Sequence, residues 1–313
     1  MRKTFALLSS FVISAASLSA FSGSAESETE TEPKKEYSSK VYFAAQESEG
    51  FEILHSGRVY FNKSAAPEGE STLRVNTYLH DENNIVGGCI LKWKADPTVR
   101  LVQVISPKDV YGYLPYIPNI PNPDTYKLFL HTDTEDNTQT ATYPQVQLDP
   151  NDLTKDYFFA LTGEASDSYP MAVFDTAISN SAASGTYSID FMTEQWGNRT
   201  DIIYKPDANT TYEYLPEKDD VPSQFINISS NMLGDVDGSS AIDGSDATLA
   251  LRLYAYASSA ADLDISTDGT IAADVDGNGA VDGSDATLIL KYYANAPTMS
   301  DISLNEFIKE NLK

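Results

Sequence analysis

The sequence predicts a multidomain protein, an all-β sandwich followed by a small all-α module, and three observations carry that expectation. Apolar and polar residues alternate in short runs between positions 41 and 214. After position 232 the apolar spacing changes to one that suits helices. In that later stretch a segment of 21 residues occurs twice. A chain of 313 residues is long enough for two modest domains and their tails.

The sandwich rests on period-two patterning, which puts one face of a strand in a core and the other in water. Leu73, Val75, Thr77 and Leu79 alternate with Arg74, Asn76 and Tyr78. Cys89, Leu91 and Trp93 alternate with Ile90, Lys92 and Lys94, and Tyr187, Ile189 and Phe191 with Ser188 and Asp190. Further strands are expected at 41–45, 58–62, 99–106, 127–131, 157–162 and 171–178. Short strands with turn signals between them argue a sandwich. Residues 114–126 carry four prolines and are expected to be a loop, because proline cannot donate to a ladder.

Composition narrows the function. There are 46 acidic against 21 basic residues, a net charge of -25. Such a chain repels nucleic acid and anionic membrane, and neither is an expected partner. Cys89 is the only cysteine, so no intramolecular disulfide and no cysteine-based zinc site can form. His55, His80 and His131 are scattered without a ligand spacing. At the N-terminus Arg2 and Lys3 precede an apolar run ending near Phe21, then Gly23-Ser24-Ala25. That pattern predicts a secretory signal peptide over 1–25 and an exported, extracellular protein. Residues 26–40 read as a disordered spacer, 41–214 as the sandwich, and 215–232, with Pro216 and Pro222, as a linker. The second module spans 233–298, and 299–313 form a helical extension opened by a capping box, Ser303 with Glu306.

The duplicated segment is the strongest signal. Its copies start at Asp235 and Asp274, 39 residues apart, and 15 of their 21 positions are identical. Each opens with an acidic loop of 12 residues. Carboxylates fall at loop positions 1, 3, 9 and 12: Asp235, Asp237, Asp243 and Asp246, then Asp274, Asp276, Asp282 and Asp285. Position 5 holds Ser239 or Asn278, and position 7, which offers a backbone carbonyl, holds Ala241 or Ala280. Calcium takes six to eight hard oxygen ligands from a chain that curls around it, and this spacing supplies them. Aspartate-glycine runs also form plain turns, but two copies at ligand spacing, each running into an apolar helix, argue for the ion. The first loop has Ser239 and Ser240 where the second has Asn278 and Gly279, which predicts a weaker first site.

Each loop is followed by a helix but the first is not preceded by one, so each copy is half of an EF-hand. A duplicated loop–helix with aspartate at position 12 resembles the type I dockerin family over about 233–296. The resemblance implies two calcium ions, two halves related by a pseudo-twofold, and docking onto a cohesin module of a scaffoldin. It also implies partner contacts at Gly244, Ser245, Leu251 and Arg252, and at Gly283, Ser284, Leu290 and Lys291 in the second copy.

The order of features in the first module is also suggestive. A polar turn at Asp81-Glu82-Asn83-Asn84 leads to the strand holding Gly87, Gly88 and Trp93. An Asp96-Pro97 turn leads to a valine-rich strand, and Gly185-Thr186-Tyr187 stands near the end. This looks like a cohesin jelly roll, and the resemblance implies that the sandwich receives a dockerin-bearing enzyme. Together the two modules are expected to form a non-catalytic adaptor scaffoldin of a cellulosome-type complex. Two other functions compete. A carbohydrate-binding module would use exposed Trp196 or tyrosines near Tyr111 to grip polysaccharide; Trp93, alternating with Cys89 and Leu91, belongs to the core. A glycoside hydrolase needs two carboxylates flanking a cleft, and Glu164 and Glu194 near strand ends are the candidates. No catalytic residue is assigned.

Overall fold

The computed structural model describes residues 39–81, 86–112, 128–143, 148–149, 152–156, 170–194, 199–204, 212–218, 221–256, 263–295 and 302–312. The leader expected at 1–25, residues 26–38 of the spacer, the strand expected at 157–162, and Glu164 and Trp196 lie outside the described residues. Tyr37–Lys313 forms one compact unit.

Among the described residues fifteen strands precede the helical module. They are β1 (Ser39–Ala45), β2 (Phe51–Ile53), β3 (Val59–Asn62), β4 (Glu70–Asp81), β5 (Val86–Ala95), β6 (Arg100–Ile105), β7 (Phe129–Asp133) and β8 (Thr138–Tyr143), with the one-turn helix α1 (Pro107–Tyr111) between β6 and β7. The others are β9 (Leu148–Asp149), β10 (Asp152–Asp156), β11 (Ala172–Ser179), β12 (Gly185–Phe191), β13 (Asp201–Tyr204), β14 (Tyr212–Tyr214) and β15 (Gln224–Ser229). One sheet runs β1-β4-β11-β6. A second runs β14-β13-β5-β12-β15-β3-β2, with β8 on the free side of β5 and β7 beyond it, and β9 and β10 pair in a separate two-stranded sheet. Among the described residues all strand pairings are antiparallel except β15 with β3.

The period-two runs do what alternation predicts. Leu73, Val75, Thr77 and Leu79 of β4 point inward, as do Cys89, Leu91 and Trp93 of β5, all fully buried. Aromatic rings tie the sheets together: Phe43 and Phe174 from one meet Trp93 and Phe191 from the other, with Trp93 and Phe174 centroids 5.0 Å apart. The buried indole N–H of Trp93 donates to Gln139 Oε1 at 3.1 Å, so burial leaves no unpaired donor. Thr98 N donates to Asp96 Oδ1 at 3.0 Å in the Asp96-Pro97 turn, and the Asn137 side chain donates to the carbonyls of Ala95, Asp96 and Val99 around it.

The segment expected to be a linker, 215–232, is corrected by the structure. It contains β15, which sits in the middle of the larger sheet between β12 and β3. Ile226 and Ile228 are completely buried there. The prolines that suggested a linker, Pro216 and Pro222, precede the strand and do not interrupt its ladder. The spacer expected over 26–40 also gives way at its end, where β1 begins at Ser39.

Among the described residues four helices follow: α2 (Gly244–Ala255), α3 (Thr267–Ala272), α4 (Gly283–Asn295) and α5 (Leu304–Asn311). Their apolar core joins Ala247, Ala250 and Leu253 of α2 to Ala286, Leu288 and Ile289 of α4, with Leu304, Phe307 and Ile308 of α5. Ser303 caps α5 through the expected capping box with Glu306.

Candidate metal centres and recognition face

Each acidic loop folds around its own carboxylates. In the first, Asp235 accepts from the amides of Ser239 and Ser240 at 3.0 Å each, which bends the chain back over position 1. Asp246, on the first turn of α2, accepts from Val236 N at 2.8 Å, Asp237 N at 3.1 Å and Asp243 N at 2.8 Å. The position-12 aspartate thus closes the loop from the following helix. The second loop repeats this: Asp274 accepts from Gly279 N at 3.0 Å, and Asp285 from Val275 N at 2.9 Å and Asp282 N at 2.8 Å.

Two clusters result, Asp235, Asp237 and Asp246, and Asp274, Asp276 and Asp285. Within each, carboxylate oxygens lie within 4.8 Å of one another. Positions 1 and 12 are buried in both loops. Burial and the neighbouring carboxylate push Asp274 up to about 6, and burial pushes Asp285 up to about 7 although backbone amides pull the other way. Asp274 Oδ1 is buried with no hydrogen-bond partner. Oxygen-only donors, crowded, desolvated and left with a spare lone pair, fit a hard divalent cation such as calcium.

The position-9 residues stand apart from these clusters. Asp243 caps α2 by accepting from Ser245 N at 2.7 Å, and Asp282 accepts from Ser284 N at 2.6 Å. The same carboxylates also hold the serine hydroxyls, Ser245 Oγ at 2.5 Å and Ser284 Oγ at 2.6 Å. Those hydrogen bonds hold both acids below the ordinary aspartate value. Ser239 donates its hydroxyl to the Ala241 carbonyl at 3.4 Å, while the Asn278 side-chain oxygen accepts from Ala280 N at 2.8 Å. Ser240 adopts φ 69°, the left-handed region that Gly279 fills in the second loop at φ 95°.

Residues 233–294 match the family model of the dockerin type I domain. This module is a type I dockerin. No curated protein matches the sequence. Among solved structures the chain is similar to the seventh ScaB type I cohesin from Pseudobacteroides cellulosolvens, at 11% identity and a TM-score of 0.34, covering 62% of this chain and 93% of that one. It is also similar to a chain of the Coh-OlpA-Doc918 complex from Clostridium thermocellum, at 12% identity and a TM-score of 0.32, over 60% and 99% of the two chains. A type II cohesin domain of Acetivibrio cellulolyticus gives 15%, 0.33, 61% and 95%. At such scores the likeness carries no argument, and the sandwich stands on its own two sheets.

On the dockerin, the expected contact residues Ser245, Leu251, Arg252, Ser284, Leu290 and Lys291 are exposed, and Gly244 and Gly283 are half-buried. Leu251 and Leu290 keep 50% and 52% of their surface, and Tyr254 and Tyr293 stand beside them at 55% and 48%. Leu251, Tyr256 and Leu290 take no part in the packing between their helices. The structure packs α2 by Ala247, Ala250 and Leu253 instead, because small residues let the helices approach. Sequence reasoning missed the sandwich residues that meet the dockerin, Leu54, Arg58 and Tyr60, and missed Asp268 of α3. Only the Ser266-to-Gly269 cap signals that short helix.

Proposed function

We propose that this chain is an exported, non-catalytic adaptor scaffoldin: its dockerin docks onto a cohesin module, and its sandwich receives a dockerin-bearing enzyme, in polysaccharide breakdown. The observation that carries the first half is the outward face of α2 and α4. Two exposed leucines, two tyrosines and the cations Arg252 and Lys291 stand on it. Calcium, when bound, offsets the repulsion among the clustered carboxylates and so stabilises the loops from which this face springs. Asp243 and Asp282 connect loop to face, since each caps its helix and holds Ser245 or Ser284 in place. The second half is supported by the cohesin-like order of turns and strands in the sequence. The lone cysteine, the absence of any ligand spacing among the three histidines and the alternating strands support a binding role over catalysis.

The full chain, immobilised in calcium, should retain both a cohesin and a dockerin, and lose the cohesin in chelator. Retention on insoluble glycan without dockerin capture would turn the sandwich into a carbohydrate-binding module. Because the two copies present near-identical faces, Ser245→Asp with Leu251→Asp should cost only about 0.4 kcal/mol, the loss of one of two equal orientations. The same changes on both faces should abolish cohesin binding. Loss of most affinity from one face alone overturns the two-orientation reading.

A further inference from the structure

The two calcium loops have different surroundings. In the first, Gly238 and Ser240 are exposed. In the second, Gly277 is buried against the turn joining β2 to β3, where an added Cβ would lie 2.6 Å from Ser56 Oγ and 2.8 Å from Leu54 Cδ1. A Cβ on Gly279 would collide with the Arg58 guanidinium, which is itself seated over the Phe225 ring 4.3 Å from its centroid. The sandwich therefore forms a wall of the second loop and leaves the corresponding turn of the first open.

Other contacts make this wall part of a continuous joint. Leu54 and Tyr60 of the sandwich are buried in the dockerin core, among Val275, Leu288 and Phe307. Tyr60 donates its hydroxyl to the Asn231 carbonyl at 2.8 Å. On one flank Ser184 Oγ donates to Asp268 Oδ1 at 2.6 Å, and Ser230 N donates to the same oxygen. On the other, Asn305 Nδ2 donates to the Ile53 carbonyl at 3.0 Å, and Lys309 pairs with Glu47 at 2.9 Å.

We propose that calcium in the second loop and the docking of the dockerin onto its own sandwich are coupled: residues 54–58 are an outer wall of that site, and the ion locks the modules into one body. The inference rests on the calcium-binding dockerin reading. Its cause is conformational. A loop already pressed into shape by a neighbour loses less freedom when the ion binds, and by linkage the ion favours the docked arrangement equally. Leu251 and Leu290 remain exposed with the joint formed, so a locked chain still presents its cohesin-binding face.

Calcium titration of the full chain and of Leu54→Ala tests the coupling. Two ions are expected on the native chain, and Leu54→Ala should weaken one site by about tenfold while sparing the other. Hydrogen exchange on the native chain supplies a readout that needs no variant. Chelation should lower the protection of β2 and β3 along with that of the dockerin, while β4 and β11 stay protected. Unchanged protection of β2 and β3 in chelator, or two unaltered calcium affinities in a folded Leu54→Ala chain, overturns the coupling alone. A native chain that takes up no calcium overturns the dockerin reading, and the coupling with it.

Discussion

At the scale of single residues, strain and charge each set a measurable quantity. Ser240 occupies the left-handed region at φ 69° with a Cβ that disfavours it, whereas Gly279 meets the same demand without one. Ser240→Gly should therefore strengthen calcium binding at the first site by about 1 kcal/mol, read by calorimetric titration. An unchanged affinity would place the handicap of that loop at Ser239. In the sandwich, Asp175 is buried, which raises its proton affinity. Hydrogen bonds from Arg74 Nε at 2.8 Å, Arg74 Nη2 at 3.1 Å and Gln103 Nε2 at 2.9 Å outweigh this and hold it below the ordinary value. Its folded pKa lies under the unfolded one of about 3.9. The stability it contributes is thus complete above that pH and lost as pH falls through the folded value. Asp175→Asn should flatten the acid limb of a stability–pH curve below about pH 4, and an unaltered limb would show that other carboxylates govern it.

At the scale of elements, β15 decides how the sandwich closes. It pairs parallel with β3 and antiparallel with β12, joining the first strands of the larger sheet to the late ones. Ile228→Ala should cost about 3 kcal/mol in denaturant unfolding, as expected for a fully buried branched side chain. A cost within about 0.5 kcal/mol, usual for an exposed position, would return the segment to the role of a linker. Helices α2 and α4 show a different economy. They pack through alanines and a few leucines or isoleucines, and leave larger side chains outside for a partner.

At the scale of the whole molecule, the modules share a joint, and calcium removal is expected to be felt across it. The buried aspartates of the dockerin repel one another once the ion is gone, and the helices depend on the loops they close. Chelation should abolish most of the helical circular dichroism while much of the strand signal persists. A single cooperative melt in calcium should become a lower, broader one, because Leu54 and Tyr60 lose the core that covers them. An unaltered helical signal in chelator would sink this expectation. With a net charge of -25, the calcium-free chain gains further from added salt, which screens the repulsion.

The sequence by itself determined the dockerin, because calcium ligands are spaced along 12 residues and a repeat displays that spacing twice. It also determined the inward faces of β4, β5 and β12, since a strand's period is fixed by its own backbone. It could not separate the two duties of Asp243 and Asp282. An aspartate suits a helix cap as well as a metal site, and geometry alone assigns it. Tertiary structure decided the rest. The strand in the expected linker exists because β3 and β12 lie on either side to receive it, and two prolines nearby disguise its pattern. The module joint links Tyr60 to Asn231 across 171 positions and Asn305 to Ile53 across 252. Contacts over such separations leave no local period in the chain, and only the folded arrangement brings those residues together.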